Sequence, residues 1–203
     1  MMLLQVFLVG LIFSFLGSIP PGTLNLAVLQ LGMEQKAKIA LRFSLAVAIV
    51  EYPYAWAAVV FEDWLTSSPI IIQNFQLITA IVMTLIGAFT LWSARKPSEF
   101  SERFNTSGFR RGLILSILNP MAIPFWIGIT AYLKAQHWID LSTPILLHGY
   151  VFGTSVGVTI LLVLFTFLAK RLAVYVKDNM YVKLVPGFTL LVLGLYAFAK
   201  YLF

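Results

Sequence analysis

Residues 10–30 read GLIFSFLGSIPPGTLNLAVLQ, an apolar run interrupted by Gly17, Pro20, Pro21 and Gly22. It belongs to a longer apolar segment over residues 3–31, which as one straight helix would reach ~40 Å, more than a ~30 Å hydrocarbon layer requires. Proline has no backbone donor and clashes with the preceding turn, so the segment is expected to break here. In lipid, the carbonyls freed by a break need protein, water or solute as partners, and such backbone at membrane depth lines a cavity.

Five more apolar segments follow at 39–61, 70–93, 112–133, 145–168 and 184–203, each near or above the ~20 residues that cross a bilayer. Apolar residues make up 60% of the 203 and charged ones only 11%, so the natural solvent is lipid. The expected fold is an all-α integral membrane protein of about six transmembrane helices, with a single transport domain over residues 1–203. The N-terminal ten residues lack a positive n-region and a clear cleavage site, and read as the start of a retained first helix. Cysteine is absent, which removes disulfides, thiolate metal sites and thiol redox chemistry. The net charge of +6 comes from basic residues in short loops, so it sets topology and does not point to nucleic acid.

Lys36, Lys38 and Arg42 lie in the first loop, Arg95, Lys96, Arg103, Arg110 and Arg111 in the third, and Lys170, Arg171, Lys177 and Lys183 in the fifth, which together are 12 of the 14 basic residues. Lys134 lies in the fourth loop, Lys200 near the C-terminus, and the second loop holds Glu62 and Asp63. The odd loops are therefore expected in the cytoplasm and both termini outside, if the first segment spans. A re-entrant first segment would instead place the N-terminus inside and leave five spans. Trp64, Tyr132, His137 and Trp138 read as interfacial anchors.

The chain also repeats itself. GLIFSFL from Gly10 matches GLILSIL from Gly112, an offset of 102 residues, and each run leads into a proline break, Pro20-Pro21 or Asn119-Pro120 with Pro124 beyond. LIGAFTLW from Leu85 resembles VLGLYAFA from Val192, aligning Gly87 with Gly194 at an offset of 107. Two three-helix halves, 1–94 and 112–203, joined by a cytoplasmic linker over 95–111, would then sit inverted with broken first and fourth helices, because three is odd.

A broken helix exposes a half-helix N-terminus whose amides and dipole bind anionic groups without a fixed cation. Pro20, Pro21 and Gly22 at the first break, Thr23 and Asn25 after it, and Asn119 and Pro120 at the second are the candidate substrate-binding residues. Thr23, Asn25 and Asn119 serve equally well as plain backbone caps. Glu51 lies about twelve residues into the second segment, ~18 Å deep, as the one acid near the layer's middle. Burying an ionised carboxylate there costs several kcal/mol, so it is protonated, paired or in contact with a wet cavity. This makes Glu51 both a substrate-binding and a proton-coupling candidate, beside the bland alternative of a carboxyl held by Tyr52, Tyr54 or a carbonyl freed by Pro53. His148, near the outer end of the fifth segment, is the next titratable candidate.

The first segment, some hundred residues before GFRRGLILSILNPMAIPFWIGI at 108–129, resembles the LysE-type translocators, the lysine exporter and homoserine/threonine resistance family. The resemblance covers essentially the whole chain and implies a small six-helix secondary exporter of amino acids driven by the proton or ion gradient. The family's Pro-Gly-Pro element followed by Asn is met by Pro21, Gly22 and Asn25, with Thr23 in place of the second proline. Its Asn-Pro-Lys element is met by Asn119 and Pro120, with Met121 in place of lysine. The function expected is export of amino acids or related small zwitterionic solutes across the cytoplasmic (inner) membrane. The partners expected are that solute and membrane lipid, with a homo-oligomer compatible and nucleic acid excluded. No cofactor and no metal site are expected, and no Gly-rich phosphate loop or catalytic triad spacing suggests an enzyme. The alternatives are a membrane-embedded lipid-handling protein or enzyme, and a metal-ion efflux transporter, which would want several carboxylates or imidazoles in the spans.

Overall fold

The computed structural model describes residues 2–19, 22–67, 107–119 and 122–176, with scattered positions between 74 and 92 and between 184 and 199. Among the described residues every regular element is helical: α1 (Met2–Gly17), α2 (Thr23–Met33), α3 (Ala37–Ser67), α4 (Gly108–Ile117), α5 (Ala122–Ala135) and α6 (Pro144–Val176). The regular positions around Gly87 and Gly194 are helical too.

Ala37–Trp64 of α3 and Pro144–Arg171 of α6 are each long and apolar enough to cross a membrane, and α4 with α5 qualifies as one bent span, turning by 64° at the break. Leu4, Leu8 and Ile12 on α1, Leu41, Leu45 and Ile49 on α3, and Ile145, Phe152, Ile160 and Phe167 on α6 are all exposed. At helical spacing these make outward apolar stripes, which water would penalise and lipid accommodates. The protein is thus a multi-pass membrane protein of helices.

Both breaks fall where the prolines demand them: α1 stops at Gly17 and α2 starts at Thr23, while α4 stops at Ile117 and α5 starts at Ala122. Pro20, Pro21 and Pro120 themselves lie outside the described residues. The second half-helices end alike. Gln35 and His137 adopt left-handed φ of 58° and 56°. Lys36 N–H reaches Leu31 O at 2.9 Å and Trp138 N–H reaches Leu133 O at 3.0 Å, the six-to-one closure that satisfies last-turn carbonyls.

Helix packing runs through glycines. On α6, side chains added at Gly153 and Gly157 would strike the backbone of Phe7 and Leu11 on α1, and one added at Gly32 of α2 would strike Thr166 further along α6. The first segment therefore follows α6 in one direction through both of its half-helices. On α4, Gly108 and Gly112 back onto Ile39 and Phe43 of α3, and α5 then continues along α3 to Lys134, beside Glu62 and Asp63. Small residues at such crossings let backbones approach closely, the main source of helix association in lipid. Around Gly87 and Gly194 the described helical residues run antiparallel, with Gly87 against Leu191 and Gly194 against Thr84.

Two boundaries differ from those expected. Glu62 and Asp63 belong to the last turns of α3 and Lys134 to α5, because their ion pairs carry both helices past the apolar stretch. α4 starts at Gly108, inside the stretch expected as a linker, because the Ser107 hydroxyl caps it by accepting from Arg110 N–H. Arg111 is consequently a helical residue only 3% exposed, donating to Gln30 Oε1 at 3.1 Å, instead of a solvated linker cation.

Candidate functional site at the helix breaks

At the first break the chain tightens before it turns: Ser18 N–H donates to Ser14 O at 3.0 Å and Ile19 N–H to Leu16 O at 3.2 Å. Asn25, buried on the first turn of α2, reaches back and donates to the carbonyl of Ser18 at 2.6 Å. It supplies the partner that lipid cannot. Thr23 is exposed on the same turn, and Gly22 precedes it in extended backbone with no side-chain cap and open space where a side chain would project.

The second break uses a different donor. Tyr54 on α3 gives its hydroxyl proton to the carbonyl of Ile117, the last residue of α4, at 2.6 Å. Asn119 continues the turn, its N–H donating to Ser116 O at 3.1 Å. Gly17 lies against the ring of Phe125, on the first turn of α5. The end of α1 thus touches the start of α5. Just before the breaks, Ser14 and Ser116 occupy matching places 102 residues apart, each buried with a hydroxyl that has no hydrogen-bond partner among the described residues.

Glu51 sits halfway along Ala37–Trp64 and is engaged by Trp126, whose indole N–H donates to Glu51 Oε1 at 2.5 Å. Trp126 is 1% exposed and packs edge-on against Tyr150 with ring centroids 6.2 Å apart. Tyr150 Oη and Thr130 Oγ1 lie 3.2 Å apart in the same buried cluster. The donor on Glu51 is therefore an indole, not Tyr52 or Tyr54. Tyr52 instead stacks on His148, with Oη 2.7 Å from Nδ1, tying α3 to α6 beside Glu51. Among the described residues no lysine or arginine forms an ion pair with Glu51.

Outward from Glu51, α3 and α5 are bound again by Lys134, whose ammonium donates to Glu62 at 2.6 Å and also contacts Asp63. This clamp borders a cavity of about 640 Å³ lined by Gln5, Asp63, Lys134, His137, Asp140 and Ser142 among others. Asp140 accepts from the backbone N–H of Ser142 at 2.9 Å, which holds its carboxyl below the usual carboxylate range. The opposite end gathers Lys36, Arg111 and Glu34, with Gln30 donating to Glu34 at 3.1 Å. There Lys36 keeps the Glu34 carboxyl low.

The structure thus joins Glu51 to α5, the half-helix after the second break, and joins Asn25 to the first break, while Thr23 stays apart on the surface. The sequence does not single out Trp126, Thr130, Lys134 or Arg111. The first three recur at i, i+4 and i+8, a polar line on one face of an apolar helix. Among the described residues no group of His, Asp and Glu is placed to hold a metal ion.

A family model described as LysE type translocator matches residues 15–200. No curated protein and no solved structure matches the chain.

Proposed function

Because the chain belongs to the LysE type translocator family of membrane transporters, we propose that it exports amino acids or related small zwitterionic solutes across the cytoplasmic membrane, driven by the proton gradient. The observation that carries this reading is Glu51 in mid-span, held by the neutral indole N–H of Trp126. A carboxyl so placed is free to exchange a proton for a solute's ammonium group, which couples the two by competition at one site. The solute carboxylate would go to the half-helix N-termini at Gly22 and after Pro120, where backbone amides accept an anion.

The packing supports two inverted halves rocking about this site. α1 and α2 run with α6, α4 and α5 run with α3, and the contacts interchange: Gly10 backs onto Tyr150 and Gly112 onto Phe43, at offsets of 102 and 107 residues. The end that carries Lys36, Arg111, Lys170 and Arg171 would face the cytoplasm and the cavity end the outside.

Proteoliposomes loaded with pooled amino acids test this. The wild type should accumulate solute against a gradient when a proton gradient is imposed. Glu51→Gln should insert normally, lose accumulation and keep at most slow exchange. Accumulation by Glu51→Gln at wild-type rate and pH dependence would make Glu51 a structural carboxyl and turn attention to His148.

A further inference from the structure

We propose that the seam between α3 and α5 is the route from Glu51 to the outer cavity, and that Lys134, clamped by Glu62 and Asp63, is its gate. The inference rests on the transport reading above. Glu51, Ala55, Ala58 and Glu62 recur on α3 at spacings of four, three and four residues, which puts them on one face. Trp126, Thr130 and Lys134 do the same on α5. The two faces are fastened at both ends, by Trp126 on Glu51 and by Lys134 on Glu62. The fasteners are eight residues apart on α5, ~12 Å of helix.

Between them α3 contributes the buried Ala55, Ala58 and Val59, and α5 contributes Leu133 and Thr130, whose hydroxyl pairs with Tyr150. Nearer Glu51 the small side chains of Ala55, Ala58 and Thr130 face each other, while the larger Val59 and Leu133 lie toward the clamp. The seam is therefore narrowest at its outer end and opens where the helices part there. The clamp is graded from inside to outside. The Glu62 side chain is 4% exposed, that of Lys134 25% and that of Asp63 57%, so the ammonium bridges a carboxylate facing the seam and one facing the cavity. Withdrawing Lys134 toward Asp63 takes the ammonium away from a nearly buried carboxylate, a cost that a second cation in its place offsets. The ammonium group of a departing solute is such a cation. The gate therefore opens more readily for solutes that carry an ammonium group than for plain anions.

The chain has no cysteine, so a single Thr130→Cys, one turn below Lys134, reports access to the seam. A membrane-impermeant maleimide applied from the outer side should label it slowly. Replacing Glu62, Asp63 and Lys134 together by Gln, Asn and Gln should speed labelling about tenfold, since the clamp is a partly buried network and not an exposed pair. The exchange Glu62→Lys with Lys134→Glu, combined with Asp63→Asn to remove the like charge, should bring labelling back to the rate of Asp63→Asn alone. Asp63→Asn alone removes an exposed carboxylate, is expected to insert even if the triple variant does not, and should speed labelling about threefold. Labelling unchanged in Asp63→Asn and in the triple variant overturns the gate, whatever the flux. Labelling that accelerates as stated, in a protein that moves no amino acid, upholds the gate and sinks the transport reading instead.

Discussion

Trp126 and Glu51 are 75 residues apart, yet the indole N–H of one donates to the carboxylate of the other at 2.5 Å. The bond fixes α5 against the middle of α3, immediately after the second break. It also leaves Glu51 with a neutral donor in place of a cation.

Trp126→Phe keeps a large aromatic ring against Tyr150 and deletes the N–H. The protein should insert and stay folded, with a stability loss of about 1–3 kcal/mol for the carboxyl left short of a partner. Gradient-driven transport should fall about tenfold, since a carboxyl that is no longer held in place binds its ligand less well. Initial rates in proteoliposomes check this, and an unchanged rate would reduce the indole to packing.

Gly22→Leu probes the first break. With φ −122° and ψ −179° and open space at the side-chain position, leucine fits without strain. The variant should reach wild-type yield and thermal stability. It should nevertheless lose flux, because the leucine would occupy the space in front of the α2 amides. Normal flux would mean that the break only shapes the bundle.

The helix crossings at Gly10 and Gly112 predict matched damage. A Cβ at Gly10 would overlap the carbonyl of Tyr150, and one at Gly112 the carbonyl of Phe43. Gly10→Val and Gly112→Val should each cost about 3 kcal/mol or more, the upper range for overpacking a tight contact. Gly128→Ala, which meets nothing within 4 Å, should be neutral or stabilise by about 0.5–1 kcal/mol. Thermal unfolding in detergent decides, and a mild Gly112→Val beside a severe Gly10→Val would argue against interchangeable halves.

Single cysteines at Lys38 and Ser142, both exposed at opposite ends of the bundle, should label from opposite membrane faces, Lys38 from the cytoplasm. If an impermeant reagent labels both from outside intact cells, the inverted arrangement fails.

Much of this was legible in the residues. The breaks follow from covalent chemistry, since Pro20-Pro21 and Asn119-Pro120 remove donors that a helix in lipid cannot replace from solvent. Glu51 was legible as the mid-span acid and hence as a candidate for the same reason, because a carboxyl among apolar neighbours has no inexpensive idle state. The family resemblance rested on these same short motifs. The helix ends past residue 61 and before residue 112 were not legible, because hydropathy marks where lipid ends and not where hydrogen bonding does. Glu62, Asp63 and Lys134 continue their helices by pairing with each other.

What the sequence alone determined is the local part: an all-helical membrane chain, two broken segments, a basic end and a mid-span acid, each set by a residue's own solvation or dihedral limits. What only the tertiary structure decided is who meets whom. Asn25 caps Ser18, Tyr54 caps Ile117, Trp126 holds Glu51, Lys134 bridges α5 to α3, and both half-helices of the first segment pack along α6. Aromatic and glycine residues are common throughout an apolar helix, so their partners are set by which backbones can approach closely, a property of pairs of helices that no single stretch of sequence carries.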